Sequence, residues 1–382
     1  MFFRFEGNGE KFRRKIEEEM NIVDIKKIYI QKSVVNNEKI QKLLNQLQNS
    51  EIEIQIIDEI KEVPTHYFDK KAAIIFAEQK GAFVKKCPCT PKYLGCEYWV
   101  VELSVGCLYD CSYCYLQEYQ NIFATTFYVN FDKLYREFDE LLGQNPDKLY
   151  RIGFGEYADS LFLDEMMNYT CEISDYLSKN HSNYLIEYKT KSNNIANLLK
   201  FKPTGREVIG WTISPVNICE TEEKFASSFS ERLEAMRQCA EHGYFVAVHF
   251  DPVINSDGWK EGYKMVIDQI FDKIDKNRII WISIGSLRFN PKLKPIIEYR
   301  HPDSKIIYSE MIRGADNKSR YLKSVRMELY KTIVGYLRQK DENAFAYFCM
   351  EDNEVWKEVL GFDVKTNDEI HGLFCKRLED LK

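Results

Sequence analysis

No run in this chain approaches ~18 consecutive apolar residues, so a membrane-crossing helix is not expected. A net positive charge is also missing. Across 382 residues, 53 Lys and Arg stand against 59 Asp and Glu, a formal charge of −6. No bulk field draws such a chain to nucleic acid, and any such contact must come from a local patch. The opening residues, MFFRFEGNGEKFRRKIEEEM, lack an apolar run ending at a small-residue cleavage site, so export is not expected and the chain reads as cytosolic. Sequence repeats are absent, which sets aside a repeat solenoid. A second C-x2-C pair is absent too, and paired knuckles are the usual sign of structural zinc.

Apolar residues make up 45% of the chain, enough for a sizeable core. Eleven cysteines in a reducing compartment point to metal or catalysis more than to disulfides. Three of them, Cys107, Cys111 and Cys114, crowd into GCLYDCSYCYLQEY, with Tyr113 and Tyr115 on either side of the last.

The residues around this stretch fall into three regions. Residues 1–90 mix strand-like IKKIYIQKSVV and EIEIQIIDEI with an amphipathic NNEKIQKLLNQLQ that has Asn at its cap. Residues 91–286 alternate strands with helical patterns. The strand-like runs are YWVVELSV, KLYRIGF, NYLIEYKT, REVIGWTIS, YFVAVHFDPV and RIIWISIGS. This rhythm predicts an α/β fold with βα units around a parallel sheet. Six strands are fewer than a closed eight-stranded barrel needs, so an open, partial (βα)6 TIM-like barrel is expected, with a doubly wound sheet as the alternative. Either fold puts active groups on loops at the carboxyl ends of strands, and the three-cysteine loop follows the first of these strands. Residues 287–382 are less regular and read as an α+β region.

Thiolates hold iron–sulfur clusters, most often four of them. Three at a C-x3-C-x2-C spacing leave one iron of a [4Fe–4S] cube open to an exogenous ligand, as a catalytic zinc leaves one position free. A zinc site completed by a distant Cys or His is the alternative.

The spacing, placed after the first strand of a partial βα barrel, resembles the radical S-adenosylmethionine (SAM) superfamily. That resemblance implies a [4Fe–4S] cluster on Cys107, Cys111 and Cys114, and SAM chelated on its open iron. Reductive cleavage would then give a 5′-deoxyadenosyl radical. RIGFGEYADS is similar to the superfamily's Gly-Gly-Glu element. Gly153 and Gly155 would let the main chain approach the ligand, and Glu156 offers a carboxylate to the methionine ammonium. Thr212 and Ser214 end the fourth strand, where adenosine is expected.

A narrower resemblance covers residues 80–330. CSYCYLQ, GEYADSLFLD, KTKSNNIANLL, DGWKEGY and SLRFNPKLKPII look like the spore photoproduct lyase family, which splits a methylene-bridged thymine dimer in DNA by radical chemistry. It implies that Tyr113 and Tyr115 relay a hydrogen atom, that Lys191 pairs with the SAM carboxylate, and that a reductant such as flavodoxin or ferredoxin supplies the electron. One departure stands out. Characterised members carry a hydrogen-donating cysteine after the second strand, where this chain reads Glu156-Tyr157-Ala158. A radical SAM enzyme with another substrate, RNA or a small molecule, is therefore an alternative reading. A non-catalytic metal-bound nucleic-acid module is a further one.

For DNA, basic residues gather from Arg288 to Lys305 and from Arg313 to Arg326. Arg288, Lys292 and Lys294 are the candidate phosphate contacts. Cys87, Cys89 and Cys96 read as structural or lid residues, His249 and Asp251 as a pair sharing one strand face, and Arg232 as a helix-face charge.

Overall fold

The computed structural model describes residues 25–48, 50–63, 73–88, 93–119 and 124–381. The opening segment to residue 24 and Cys89 lie outside the described residues. Strands β1 (Lys27–Gln31), β2 (Glu53–Ile57) and β3 (Ala73–Ala77) come first, followed by β4 (Val84–Lys86), β5 (Tyr98–Val101), β6 (Ser104–Val105) and β7 (Thr125–Tyr128). Next are β8 (Tyr150–Phe154), β9 (Tyr184–Thr190), β10 (Glu207–Thr212), β11 (Phe245–Val253) and β12 (Ile279–Ser286). The last four are β13 (Arg288–Phe289), β14 (Met311–Arg313), β15 (Ser319–Tyr321) and β16 (Ala346–Phe348).

The six strands expected of the barrel are β5 and β8 to β12, paired in parallel in chain order. Each is an apolar run buried along most of its length; every residue of IIWISIGS in β12 is buried. Such runs belong to parallel sheets covered on both faces. Helices Phe131–Gly143, Tyr169–Asn180, Phe229–His242 and Trp259–Lys273 link them. The third starts at a reciprocal cap between Ser228 and Glu231 and stops at Gly243, whose φ of +111° suits glycine. Two strands extend the sheet beyond the expected six. β16 adds a seventh parallel strand beside β12, and β4 runs antiparallel to β5 at the other edge.

The sheet curls. Trp281 on β12 donates from its indole to Glu187 on β9 at 3.1 Å, although two strands lie between them. In a flat sheet those strands would stand about 14 Å apart, three times the inter-strand spacing. Tyr98 on β5 reaches the other oxygen of Glu187 at 2.6 Å. The result is the open, partial barrel.

The first region forms a five-stranded sheet of order β2-β1-β3-β7-β6. The expected boundary near residue 90 does not separate this sheet from the barrel region, because β6 and β7 complete it. Ile74 pairs with Thr125, and Phe127 pairs with Ser104. The polypeptide leaves the barrel after β5, crosses to this sheet, and turns back carrying the three-cysteine loop. β13, β15 and β14 make a small antiparallel sheet in the C-terminal region. No described helix is long and apolar enough to cross a membrane.

Candidate active site

The loop between β6 and the short helix Leu116–Tyr119 carries Cys107, Cys111 and Cys114. Gly106 opens it at φ +94°, a backbone setting that glycine adopts without strain. Its N–H donates to the carbonyl of Tyr157 at 2.8 Å, which ties the loop to the end of β8. Cys111 is buried, and Cys107 and Cys114 are half-buried. Burial pushes the Cys111 thiol up, with Lys191 pulling the other way. No three His, Cys, Asp or Glu side chains among the described residues are gathered closely enough to hold one metal ion. A four-iron cube places its thiolates on different irons, so its ligands need not meet at one point. In donor chemistry and in their single shared loop, the three thiols fit such a cluster.

Around the loop stand the ends of β8, β9 and β10. Gly155 has φ +99°, and a Cβ there would lie 2.7 Å from the Lys189 carbonyl and 2.9 Å from Ser160 Oγ. Only glycine fits, because Lys189 and Ser160 close that side of the main chain. Gly153 departs from expectation. Its missing side chain leaves room for the Tyr98 phenol, so it admits a neighbour rather than a ligand. The Glu156 carboxylate likewise meets a lysine of the chain itself, Lys189, in an ion pair. Burial opposes the charge on Lys189, but Glu156, Tyr98 and Glu187 together raise its pKa well above the usual lysine value.

Lys191 lies at the end of β9 with its ammonium 5.6 Å from the centre of the Tyr113 ring. Burial works against its charge, and the neighbouring Cys111 and Glu223 more than offset that. Its main-chain N–H donates to Asp159 at 2.6 Å. The same carboxylate accepts from Thr190 Oγ1 at 2.8 Å and from the Leu161 N–H at 2.9 Å, so Asp159 pins the end of β8 to that of β9. Sequence reasoning passed over Asp159, although it sits inside the GEYADS stretch.

The two tyrosines diverge. Tyr113 donates to Glu223 Oε1, which Ser214 also reaches at 3.1 Å. Glu223 pairs at 2.5 Å with Arg232, both side chains being fully buried. Arg232 is thus the internal counter-charge of the site, not a helix-face charge, and its second bond runs to the Thr212 carbonyl at 3.1 Å. Burial disfavours the Glu223 carboxylate, yet Arg232 and Lys191 hold it below the usual range. On the other side, Tyr115 donates to the main-chain oxygen of Glu156 while its ring stays 41% exposed. A phenol therefore lies against residue 156, in the stretch where the resemblance implied a cysteine.

His249 points into the barrel and meets Glu187 at 2.7 Å. Burial alone would raise the Glu187 carboxyl, but His249, Lys189 and Tyr98 bring it down to about 2. Asp251 does not join them; it grips Arg288 through two nitrogens at 3.1 and 3.2 Å. Arg288, expected at a DNA phosphate, is therefore held by Asp251 as a half-buried, ion-paired residue. Lys292 is exposed, and Lys294 lies with its ammonium 5.4 Å from the Tyr308 ring. Two of the five basic residues of the second run are internal: Arg320 pairs with Asp316, and Arg326 with Glu351. Spacing alone cannot tell such pairs from a solvated basic face.

Comparison with known proteins is consistent with this geometry. The family model described as spore photoproduct lyase matches residues 24–345. The spore photoproduct lyase of Geobacillus sp. (strain Y412MC61) is 24% identical over 224 residues, which span 56% of this chain and 64% of that protein. That of Bacillus subtilis (strain 168) is 22% identical over 327 residues, 82% of this chain and 90% of that protein. A solved structure of a cysteine-substituted spore photoproduct lyase, with bound AdoMet and dinucleoside spore photoproduct, superimposes with a TM-score of 0.76. It is 20% identical and covers 86% of this chain and 99% of that one. The matched residues run from the first strand to the edge of the last, and the chain belongs to the spore photoproduct lyase family.

Proposed function

We propose that this chain is a radical SAM enzyme that repairs spore photoproduct, the methylene-bridged thymine dimer, in DNA. The observation that carries the reading is the gathering of three cysteines on one loop beside Lys191 at the carboxyl ends of the barrel strands, in a chain whose family is spore photoproduct lyase. A relative binds AdoMet and dinucleoside spore photoproduct together, which supports both cofactor and lesion.

Cys107, Cys111 and Cys114 are the residues that would hold the [4Fe–4S] cluster. When bound, the cluster supplies the electron that cleaves SAM to methionine and a 5′-deoxyadenosyl radical; a flavodoxin or ferredoxin is the donor we assign. Lys191 offers its ammonium to the SAM carboxylate. Gly155 lets the end of β8 pack tightly against Lys189 and Ser160, and Asp159 keeps the two strand ends in register. Glu156 is neutralised by Lys189, so its carboxylate is not the free ammonium partner the motif suggests. Tyr113 and Tyr115 flank the last thiol and each holds an exchangeable hydrogen. Lys292, exposed at the N-cap of helix Leu293–Arg300, and the half-buried Lys294 in its first turn are the remaining candidates for phosphate contact.

Glu156-Tyr157-Ala158 in place of the family's cysteine favours one second reading, the same radical chemistry on another substrate. A substrate panel separates the two. Under anaerobic reconstitution with SAM and dithionite, spore-type ultraviolet-irradiated DNA should yield restored thymine, and irradiated RNA, which carries uracil instead, should raise neither 5′-deoxyadenosine nor any base product above the substrate-free level. Turnover of the RNA alone would move the assignment to the second reading.

A further inference from the structure

The three-cysteine loop is held from the C-terminal region by Arg300, which lies 190 positions from Asp110 and 183 from Gln117 in the chain. Arg300, the last residue of helix Leu293–Arg300, sends Nη2 to Asp110 Oδ1 at 2.6 Å and Nη1 to Gln117 Oε1. Gln117 turns its amide N–H groups back onto the carbonyls of Cys111, at 3.2 Å, and Ser112, at 2.8 Å. Four residues after Arg300, Ser304 donates to Glu222 at 2.7 Å, and the same carboxylate takes the Ser112 hydroxyl. The Ser112 N–H also reaches the Glu222 carbonyl at 2.9 Å. Asp110 itself sits at φ +48°, a left-handed setting that few residues other than glycine tolerate, Asp and Asn among them. Such a conformation persists where its surroundings over-determine it. Arg300 is well placed to do so, with only 12% of its side chain exposed.

We infer that Arg300 and Ser304 are positioning residues for the cysteine loop, clamping Asp110, Ser112 and Gln117 so that the three thiols are presented in one arrangement before any iron arrives. This rests on the reading of that loop as the cluster site. It also gives Arg300, which belongs to the basic run expected to face DNA, an inward task. The guanidinium suits it because one planar fork spans two acceptors, Asp110 and Gln117, which a single ammonium cannot.

The experiment uses the full-length chain free of iron, so its outcome does not depend on lesion repair. The labelling rates of Cys107, Cys111 and Cys114 by an aromatic disulfide are followed by peptide mass spectrometry. Arg300→Ala should raise them by about tenfold, the factor that ~1.4 kcal/mol of lost restraint gives. Arg300→Lys should recover part of that, and Ser304→Ala should give a smaller rise. Labelling of Cys239, buried in helix Phe229–His242, should not change and serves as the control for folding. Should Arg300→Ala fail to fold, Asp110→Asn carries the test, since it keeps the shape of the side chain and removes the ion pair. The salt dependence of DNA binding is measured in parallel and should keep its slope. Unchanged thiol labelling overturns the inference. So does a log–log salt slope reduced by about 0.9, the mark of one duplex phosphate no longer neutralised.

Discussion

Tyr115 donates its phenol hydrogen to the main chain of Glu156, in the stretch where the sequence resemblance leads to the expectation of a hydrogen-donating cysteine. That contact makes Tyr115 the first candidate to return hydrogen in this chain, and Tyr113, bound to Glu223, the second. Tyr115→Phe removes the transferable hydrogen and keeps the ring. Cluster absorbance and SAM cleavage should persist while lesion turnover falls by about tenfold or more, equivalent to ~1.4 kcal/mol on the barrier. Wild-type turnover in both single Phe variants and in the double variant would make the tyrosines packing residues. Arg288 gives a second test at this scale. Its partner Asp251 and its partial burial make it structural, so Arg288→Gln should cost about 1.5 kcal/mol in urea unfolding, the low end for hydrogen bonds to a charged group. A loss of DNA affinity with stability unchanged would return it to the phosphate surface.

Helix Leu293–Arg300 works on two sides: Arg300 faces the cysteine loop, and Lys292 faces solvent. Replacing Lys292 and Lys294 by Gln should flatten the salt dependence of DNA binding by a slope of about 0.9 for each duplex phosphate no longer neutralised. An unchanged slope would place the DNA surface elsewhere. Helix Tyr169–Asn180 shows a different economy. Asn168 precedes it at φ +48° with no side-chain cap, and Asp164 supplies one from the preceding turn. The Asp164 carboxylate accepts from the Thr170 N–H at 2.8 Å and from its hydroxyl at 2.7 Å. Burial raises this carboxyl to about 6 despite those bonds. The folded chain therefore binds this proton more tightly than the unfolded chain does. Its contribution to stability is largest below the unfolded value near 4, declines as pH rises through about 6, and is constant above that. Asp164→Asn should remove the decline. Urea midpoints of the iron-free chain at pH 4.5, 5.5 and 6.5, compared with wild type, measure it; an identical pH profile for both would refute the assignment.

The molecule as a whole is a curled sheet whose open side is bordered by β16 and β4, with the cysteine loop borrowed from a second sheet. The six parallel strands and their four linking helices were legible in the sequence, because each is a local run with its own period and caps. The three thiols were legible for the same reason. Long-range pairing was not. Nothing local in AFAYFCM says that it joins β12, nor in TTFY that it joins β3. The internal ion pairs were hidden in the same way. Arg232, Arg288, Arg300 and Arg320 look alike along the chain and differ only in the carboxylates the fold brings to them. Gly153 and Glu156 sit in the expected motif but are engaged by Tyr98 and Lys189, side chains that no motif at that position specifies. The central claim joins all these scales: a SAM-derived radical formed at Cys107, Cys111 and Cys114 repairs the lesion, and an exchangeable group of the chain returns the hydrogen. A single turnover of dinucleoside spore photoproduct in deuterated water, with SAM and dithionite under anaerobic conditions, tests it most directly. Mass spectrometry should find restored thymine carrying one solvent-derived deuterium, together with 5′-deoxyadenosine. Accumulation of 5′-deoxyadenosine while the lesion stays intact would contradict the account.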